Sequence, residues 1–362
     1  MRFEHSSRGP LVLVGGSGVV GRNLAPLLAR ARLADEIVVA GRDPARAEPV
    51  LDAVRSAGQS ARFEHMVLGE RGSGPPVPAS LVIGLVNDPA DALLAAAMGG
   101  GVPFVDVTRW TSRVALTVAR VATVRPSSPV VLSSGWMGGL LARVAAHLLP
   151  FAGRDAVVDG AIRYALDDAS GEDSVDYMDR LWLPFEVPEV QGSVVVEPFR
   201  DRRRVVVHGH RTSVARFDTP EQWTLPIALG VHRAAVRLGF DSNTAGALLF
   251  ALVRAGLFRL LRSDRFRTLR RSLLRSSGAE KRPGAGAAFR VDVRGDNGAR
   301  TMTVHSDAGQ AALTAAGALL SARWALMMPR IGGVFFPEQD PENVSLPERL
   351  AAIGVGVTPE EQ

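Results

Sequence analysis

Three groups of residues have types and spacings that could do chemistry, and the first is a glycine cluster. Gly16-Ser17-Gly18-Val19-Val20-Gly21 is an intact G-x-G-x-x-G between an apolar run, Leu11–Gly15, and a helix-like segment, Asn23–Arg32. In that setting Gly16 permits the strand-to-helix turn, Gly18 lets backbone N–H groups approach a pyrophosphate, and Gly21 lets helix and sheet pack closely. The helix N-terminus adds partial positive charge and unsatisfied amides facing the anion. The second group, Ala40-Gly41-Arg42-Asp43, ends the next predicted strand and bears on which dinucleotide is held. A carboxylate there takes the ribose hydroxyls of NAD, whereas an arginine accommodates a 2′-phosphate. Arg42, with Arg46 to join it from the next helix, favours NADP(H); the alternative is Asp43 on the ribose with Arg42 in solvent.

The third group follows from topology, because ligands of an open α/β sheet lie beyond the carboxyl ends of its strands. Leu85, Val86 and Asn87 after the fourth predicted strand are cofactor contacts in this reading, and Asp88 reads as a helix cap. After the fifth strand come Asp106, Thr108 and Arg109. Thr108 is assigned to the cofactor and Asp106 and Arg109 to catalysis. Arg109 offers a bidentate fork for a substrate carboxylate or phosphate; a surface salt bridge is the competing role. Asp106 alternates inward, so burial against a backbone partner competes there. Hydride chemistry also needs a proton donor; from the segment LDDASGEDSVDYMDRLW, 166–182, Tyr177, assigned to catalysis, and Asp173 line the pocket, or else the segment is a polar loop. Arg109, Tyr177 and Trp136 are expected to converge near the nicotinamide C4. Trp136, Met137, Trp182 and Phe185 would then line an apolar site for a larger or lipid- or carrier-linked substrate.

The elements that must position these residues are legible. Leu11–Gly15, Ile37–Gly41, Phe63–Leu68, Leu81–Val86, Phe104–Thr108 and Val130–Ser133 read as strands, most of them separated by helical patterns such as Asp91–Met98 and Arg113–Val124. That alternation predicts parallel βαβ units, and so an α/β fold with an N-terminal Rossmann doubly wound sheet over 1–135. A second α+β domain is expected over 136–330, from strands at Val157–Leu166, Ser193–Phe199, Arg204–His208 and Thr212–Phe217 and a basic helical segment at 226–277. Asp296-Asn297-Gly298 reads as a hairpin turn. Residues 331–362 are expected to pack back on the Rossmann domain.

Composition narrows the function classes. The 362-residue chain has no cysteine, which excludes disulfides, thiolate metal sites and cysteine nucleophiles. Its formal charge is 42 − 37 = +5, carried almost wholly by arginine, and no nucleic-acid-binding motif accompanies it. No metal set is evident: His208-Gly209-His210 reads as an exposed strand pair with no third ligand. Neither Tyr164 nor Tyr177 has a lysine four residues on, which excludes the short-chain dehydrogenase relay. No signal core opens the chain, and the apolar run near 308–328 reads as a buried helix, so a cytoplasmic location is expected. In 247–276, apolar residues recur at three- and four-residue steps among arginines. A helix with a solvated arginine face accounts for that pattern, and peripheral contact with an anionic membrane or an acidic carrier is the functional alternative.

The motifs VLVGGSGVVGRNLAPLLA, VVAGRDPARA, FVDVTRW and VVLSSGWMGGLL, with GGVFFPEQ near the C-terminus, resemble the saccharopine dehydrogenase-like oxidoreductases. Arg109-Trp110 stand where that family often shows a glycine and an acid. The resemblance implies a nicotinamide-dependent oxidoreductase, a substrate-shaping second domain and a homodimer. Together these readings give an NADPH-dependent reductase of a C=N, C=O or C=C bond. The alternative is a non-catalytic NADP(H)-binding sensor or scaffold.

Overall fold

The computed structural model describes residues 2–7, 9–68, 77–165, 168, 180, 183–189, 192–256, 266, 286–328, 330 and 332–360. They form two units. One comprises Met1–Gly139 with Thr314–Pro337, the other Leu140–Leu313 with Glu338–Gln362. The contiguous division expected from sequence is thus replaced by an interleaved one.

The first unit opens with a short strand, β1 (Phe3–His5), and continues with β2 (Leu11–Val14), α1 (Val19–Ala31), β3 (Glu36–Gly41), α2 (Pro44–Ser56) and β4 (Ser60–His65). Next come β5 (Val77–Ala79), β6 (Leu81–Gly84), α3 (Ala92–Gly99), β7 (Phe104–Asp106), α4 (Thr111–Val124) and β8 (Pro129–Leu132). All four residues of β2, β6 and β8 are buried. Apolar runs without alternation therefore make strands buried on both faces, as a parallel sheet requires. A late strand, β17 (Gly333–Phe335), pairs in parallel with β8 and completes the order β17-β8-β7-β6-β2-β3-β4. This is a doubly wound α/β sheet whose order reverses between β2 and β6. All six predicted strands of this region are present.

Between β8 and the second unit the chain makes a left-handed turn. Met137, Gly138 and Gly139 have φ of 54°, 66° and 79° within α5 (Trp136–Ala152). Gly138 and Gly317 meet backbone to backbone with no room for a Cβ on either. Ser133 Oγ donates to the Gly138 carbonyl at 2.6 Å and lies 2.8 Å from Ser321 Oγ, which pins the turn.

The second unit contains β9 (Val157–Tyr164), β10 (Phe185–Glu189), β11 (Gly192–Val196), β12 (Arg202–Val207), β13 (His210–Arg216), α6 (Glu221–Leu229), β14 (Arg233–Phe240) and α7 (Asn243–Arg254). It continues with β15 (Ala287–Gly295), β16 (Gly298–Ser306), the start of α8 (Gln310–Met327), α9 (Leu346–Ala351) and β18 (Gly356–Glu360). A mixed sheet runs β12-β13-β14-β9-β15-β16-β18, with only the β14–β9 pair parallel. The hairpin at Asp296-Asn297 joins β15 to β16 as the sequence predicts.

Two expectations change here, and a third lies largely outside the described residues. Residues 233–240, read as part of a helical segment, form the central strand β14, with seven of eight residues buried. Residues 257–265 and 267–277 of that segment lie outside the described residues, so the proposed membrane or carrier contact over 247–276 stays open. The tail divides: β17 joins the first unit's sheet, while β18 pairs with β16 in the second. Among the described residues no helix is long and apolar enough to cross a membrane, and no group of acidic residues and histidines could hold a metal ion.

Candidate functional site

The strongest site in the first unit is the glycine turn at the β2–β6 reversal point. The left-handed residue of the turn is Gly15, at φ +80°, one position earlier than the sequence reading places it. Its N–H donates to the Ala40 carbonyl of β3 at 2.9 Å, and Val86 packs so tightly against it that a Cβ would collide with the valine methyl. Gly21 lies under the turn, where a Cβ would strike the Gly16 carbonyl, so its role in close packing stands. Gly18 differs. A Cβ there would lie 3.2 Å from the Gly15 carbonyl oxygen, a tight contact but far from the collision met at Gly21. Gly18 is the N-cap of α1 and offers no side-chain cap, and the first turn holds no acidic residue. With Ser17, Val19 and Val20 it leaves a helix N-terminus whose amides are supplied with no protein anion.

The end of β3 lies beside this turn, since a Cβ on Gly41 would be 3.9 Å from Ser17 Oγ. Asp43 is committed elsewhere. It is the N-cap of α2, and its carboxylate accepts from the Ala45 N–H at 2.9 Å. Arg42 and Arg46 are exposed and make no ion pair with any described residue. Arg22, exposed on the first turns of α1, donates through Nε to the Ser17 carbonyl at 3.2 Å. The sequence reading missed Arg22. Its signal was available, because an arginine directly after the last glycine of the motif faces back toward the turn on a helix.

Beyond β6 and β7 the polar residues hold one another. Asp88 accepts from the Leu93 N–H at 2.7 Å and caps α3. Asp106 forms a tight turn: its Oδ1 accepts from the Thr108 N–H at 2.8 Å and from Thr108 Oγ1 at 2.9 Å. Ser134 Oγ donates to its backbone carbonyl at 3.0 Å. Arg109 is 1% exposed. Its Nε donates to Asp106 at 2.9 Å, and its Nη1 donates to Asp91 at 2.5 Å and to Thr117 at 2.7 Å. The expected substrate fork is therefore a buried clamp between β7, α3 and α4, and the surface salt bridge weighed against it does not describe it either. Burial disfavours the Arg109 cation, but Asp106 and Asp91 outweigh it and hold the guanidinium charged more firmly than usual. Burial likewise opposes the Asp91 charge, yet Arg109 and Arg113 keep that carboxyl below the ordinary carboxylate range. Asn87 accepts from Arg113 Nη1 at 2.5 Å, and the Arg113 guanidinium stacks on Trp110 at 5.1 Å.

The structure thus brings Gly16, Ser17, Gly18, Val19, Val20, Gly21 and Val86 to one turn, with Gly41, the residue before Arg42, beside it. Asp106, Thr108 and Arg109 meet in a separate internal network. Trp136 opens the left-handed turn after β8. Tyr177, Asp173 and Trp182 lie outside the described residues, so their convergence with Arg109 and Trp136 remains an expectation. His208 and Gly209 are a turn rather than strand residues, with φ of 48° and 76°.

No family model matches the chain, and no curated protein matches it. Among solved structures, the myo-inositol dehydrogenase from Lactobacillus casei, solved in complex with NAD(H) and myo-inositol, is 13% identical, with a TM-score of 0.36 over 81% of this chain and 73% of that one. The ligand-free 5-ketofructose reductase of Gluconobacter sp. strain CHM43 is 20% identical, with a TM-score of 0.19 over 28% of this chain. The chain spans 37% of that reductase's length.

Proposed function

We propose that the first unit binds NADP(H) and that the chain is an NADPH-dependent oxidoreductase. The observation that carries this reading is the N-terminus of α1, which has no side-chain cap and lies beside the end of β3, where Arg42 follows exposed and without an ion pair among the described residues and Arg46 stands in the first turn of α2. An anion fits the helix end, and a second phosphate on the adenosine ribose fits Arg42 and Arg46. With Asp43 capping α2, the NAD-type carboxylate is not free at that position. When bound, the nicotinamide supplies the hydride. The chain's residues would hold its phosphates through the amides of Ser17, Val19 and Val20 and its 2′-phosphate through Arg42, with Val86 and Asn87 as contacts past β6.

The finer reading is a reductase of a C=N, C=O or C=C bond on a saccharopine-reductase-like homodimer in the cytoplasm, acting on a small or lipid- or carrier-linked substrate. Support for it is confined to the sequence motifs. A second reading, a non-catalytic NADP(H) sensor or scaffold, is favoured by one fact: Asp106 and Arg109 are spent on each other. Fluorescence titration decides the cofactor. NADPH should bind at least tenfold tighter than NADH, and Arg42→Ala should erase most of the difference; equal affinities in the parent protein would overturn the assignment. NADPH oxidation against a panel of imines, ketones and enones separates enzyme from sensor.

A further inference from the structure

The second unit carries a hairpin that leaves the sheet it starts from. β13 pairs with β14 only at Ala215–Leu238 and Arg216–Arg237, although β12 and β13 pair with each other along their whole length. The rest of the hairpin lies back across one face of the sheet. Val207 and Val214 pack on Ala161 of β9 and Ala288 of β15. At the root, Arg203 reaches Asp159 at 3.5 Å, and Arg237 holds Asp159 at 2.7 Å and Asp201 at 2.5 Å. At the tip, the His208 ring stacks on His305 of β16 with centroids 4.0 Å apart and planes at 24°.

In the seat, three small residues alternate with two large ones along one register row. Gly239, Arg163, Ala288, His305 and Gly356 are successive cross-strand partners on β14, β9, β15, β16 and β18. A Cβ on Gly239 would collide with the Ser213 backbone of the hairpin, and one on Gly356 would enter the His305 ring. Both glycines are needed for the hairpin to lie where it does. The turn that presents His208 is a two-residue loop with left-handed backbone at both positions, which glycine and, less readily, histidine accept.

We propose that the hairpin 202–216 is a strap latched by the His208–His305 stack, and that protonation of this pair releases it. Two neutral imidazoles stack; two imidazolium ions at this spacing repel. Of charged and titratable groups, Asp307 after β16 acts on His305; His210 and Arg211 follow the turn in sequence on the hairpin, Arg163 stands in the same register row on β9, and the β18 register partner of His305 is Gly356. Burial, and to a lesser degree the neighbouring His208, lower the His305 value, and Asp307 partly offsets them, so the His305 ring favours its neutral, stacking form and takes up a proton only on acidification. Once off the sheet, the two-stranded ribbon has no third strand and frays.

Hydrogen–deuterium exchange on the full chain between pH 7.5 and 5.5, corrected for intrinsic rates, tests this. Protection of the Val205, Val207, Thr212 and Val214 amides should fall at least about tenfold at the lower pH, with β9 and β15 amides unchanged. In His305→Phe, which keeps a stacking ring and removes the titration, the fall should vanish. His208→Asn, which keeps a residue tolerant of left-handed backbone, should be pH-insensitive too, so the test survives if one variant misfolds. Constant protection in the parent, a loss shared by β9, or a loss persisting in both variants would overturn the proposal.

Discussion

Replacing Arg109 with alanine tests whether the residue works for stability or for substrate. The guanidinium is buried and donates to Asp106, Asp91 and Thr117 at 2.9, 2.5 and 2.7 Å. Removing it strands the Asp106 carboxylate, whose side chain is 6% exposed. Breaking a buried pair costs about 3–5 kcal/mol, because the remaining charge is uncompensated. The lower end applies here. Asp91 keeps Arg113 at 2.8 Å and Arg120 at 3.4 Å, and Asp106 keeps the Thr108 N–H and hydroxyl. A loss of about 3 kcal/mol, at roughly 2–4 °C per kcal/mol for a unit of this size, lowers Tm by about 6–12 °C. Differential scanning calorimetry reads this directly. An R109A protein that melts like the parent while losing turnover would refute the clamp and return Arg109 to the substrate.

Other consequences follow from single contacts. Gly21→Ala should lower stability by about 1–3 kcal/mol through its clash with the Gly16 carbonyl, whereas Gly18→Ala, which meets only a tight contact, should cost less stability and weaken NADPH binding; equal melting losses for the two would contradict the division of roles. Glu338 is buried, and burial raises its carboxyl above the ordinary carboxylate range, with Thr224 and Arg143 only partly opposing. A raised acid keeps its proton in the folded state, so stability falls as pH rises from the unfolded carboxylate value toward the folded one. Glu338→Gln should therefore melt higher than the parent at pH 8, with the gap closing toward pH 4; a gap of constant size would contradict the linkage. Asp168 accepts from the Gln310 N–H at 2.6 Å at the head of α8, and Asp168→Ala should cost about 1 kcal/mol by thermal melting.

What the sequence made legible was local. Leu11–Val14 followed by GGSGVVG specifies strand, turn and helix within twenty residues, and Asp296-Asn297 specifies a two-residue hairpin. What it hid was set by distant partners. Arg109 reads as an exposed fork because its acceptor Asp91 stands eighteen positions away, and only the fold brings α3 beside α4. Nearer at hand, Asp106 with Thr108 and Arg109 was a readable sign of a self-satisfied turn. HRAAVRLGF passes for helix because alanine and arginine suit that state. Its burial on both faces between β13 and β9 decides for strand instead. The turn at 15–16 was misassigned by one residue because either glycine could take the left-handed backbone, and the Val86 side chain against Gly15 could not be foreseen.

The most direct measurement is a crystal structure of the full chain grown with NADP+. The account predicts the pyrophosphate at the N-terminus of α1, within hydrogen-bond distance of amides between Ser17 and Val20, and the 2′-phosphate on the Arg42 guanidinium. A dinucleotide bound away from that turn, or one whose 2′-phosphate touches neither Arg42 nor Arg46, would contradict it.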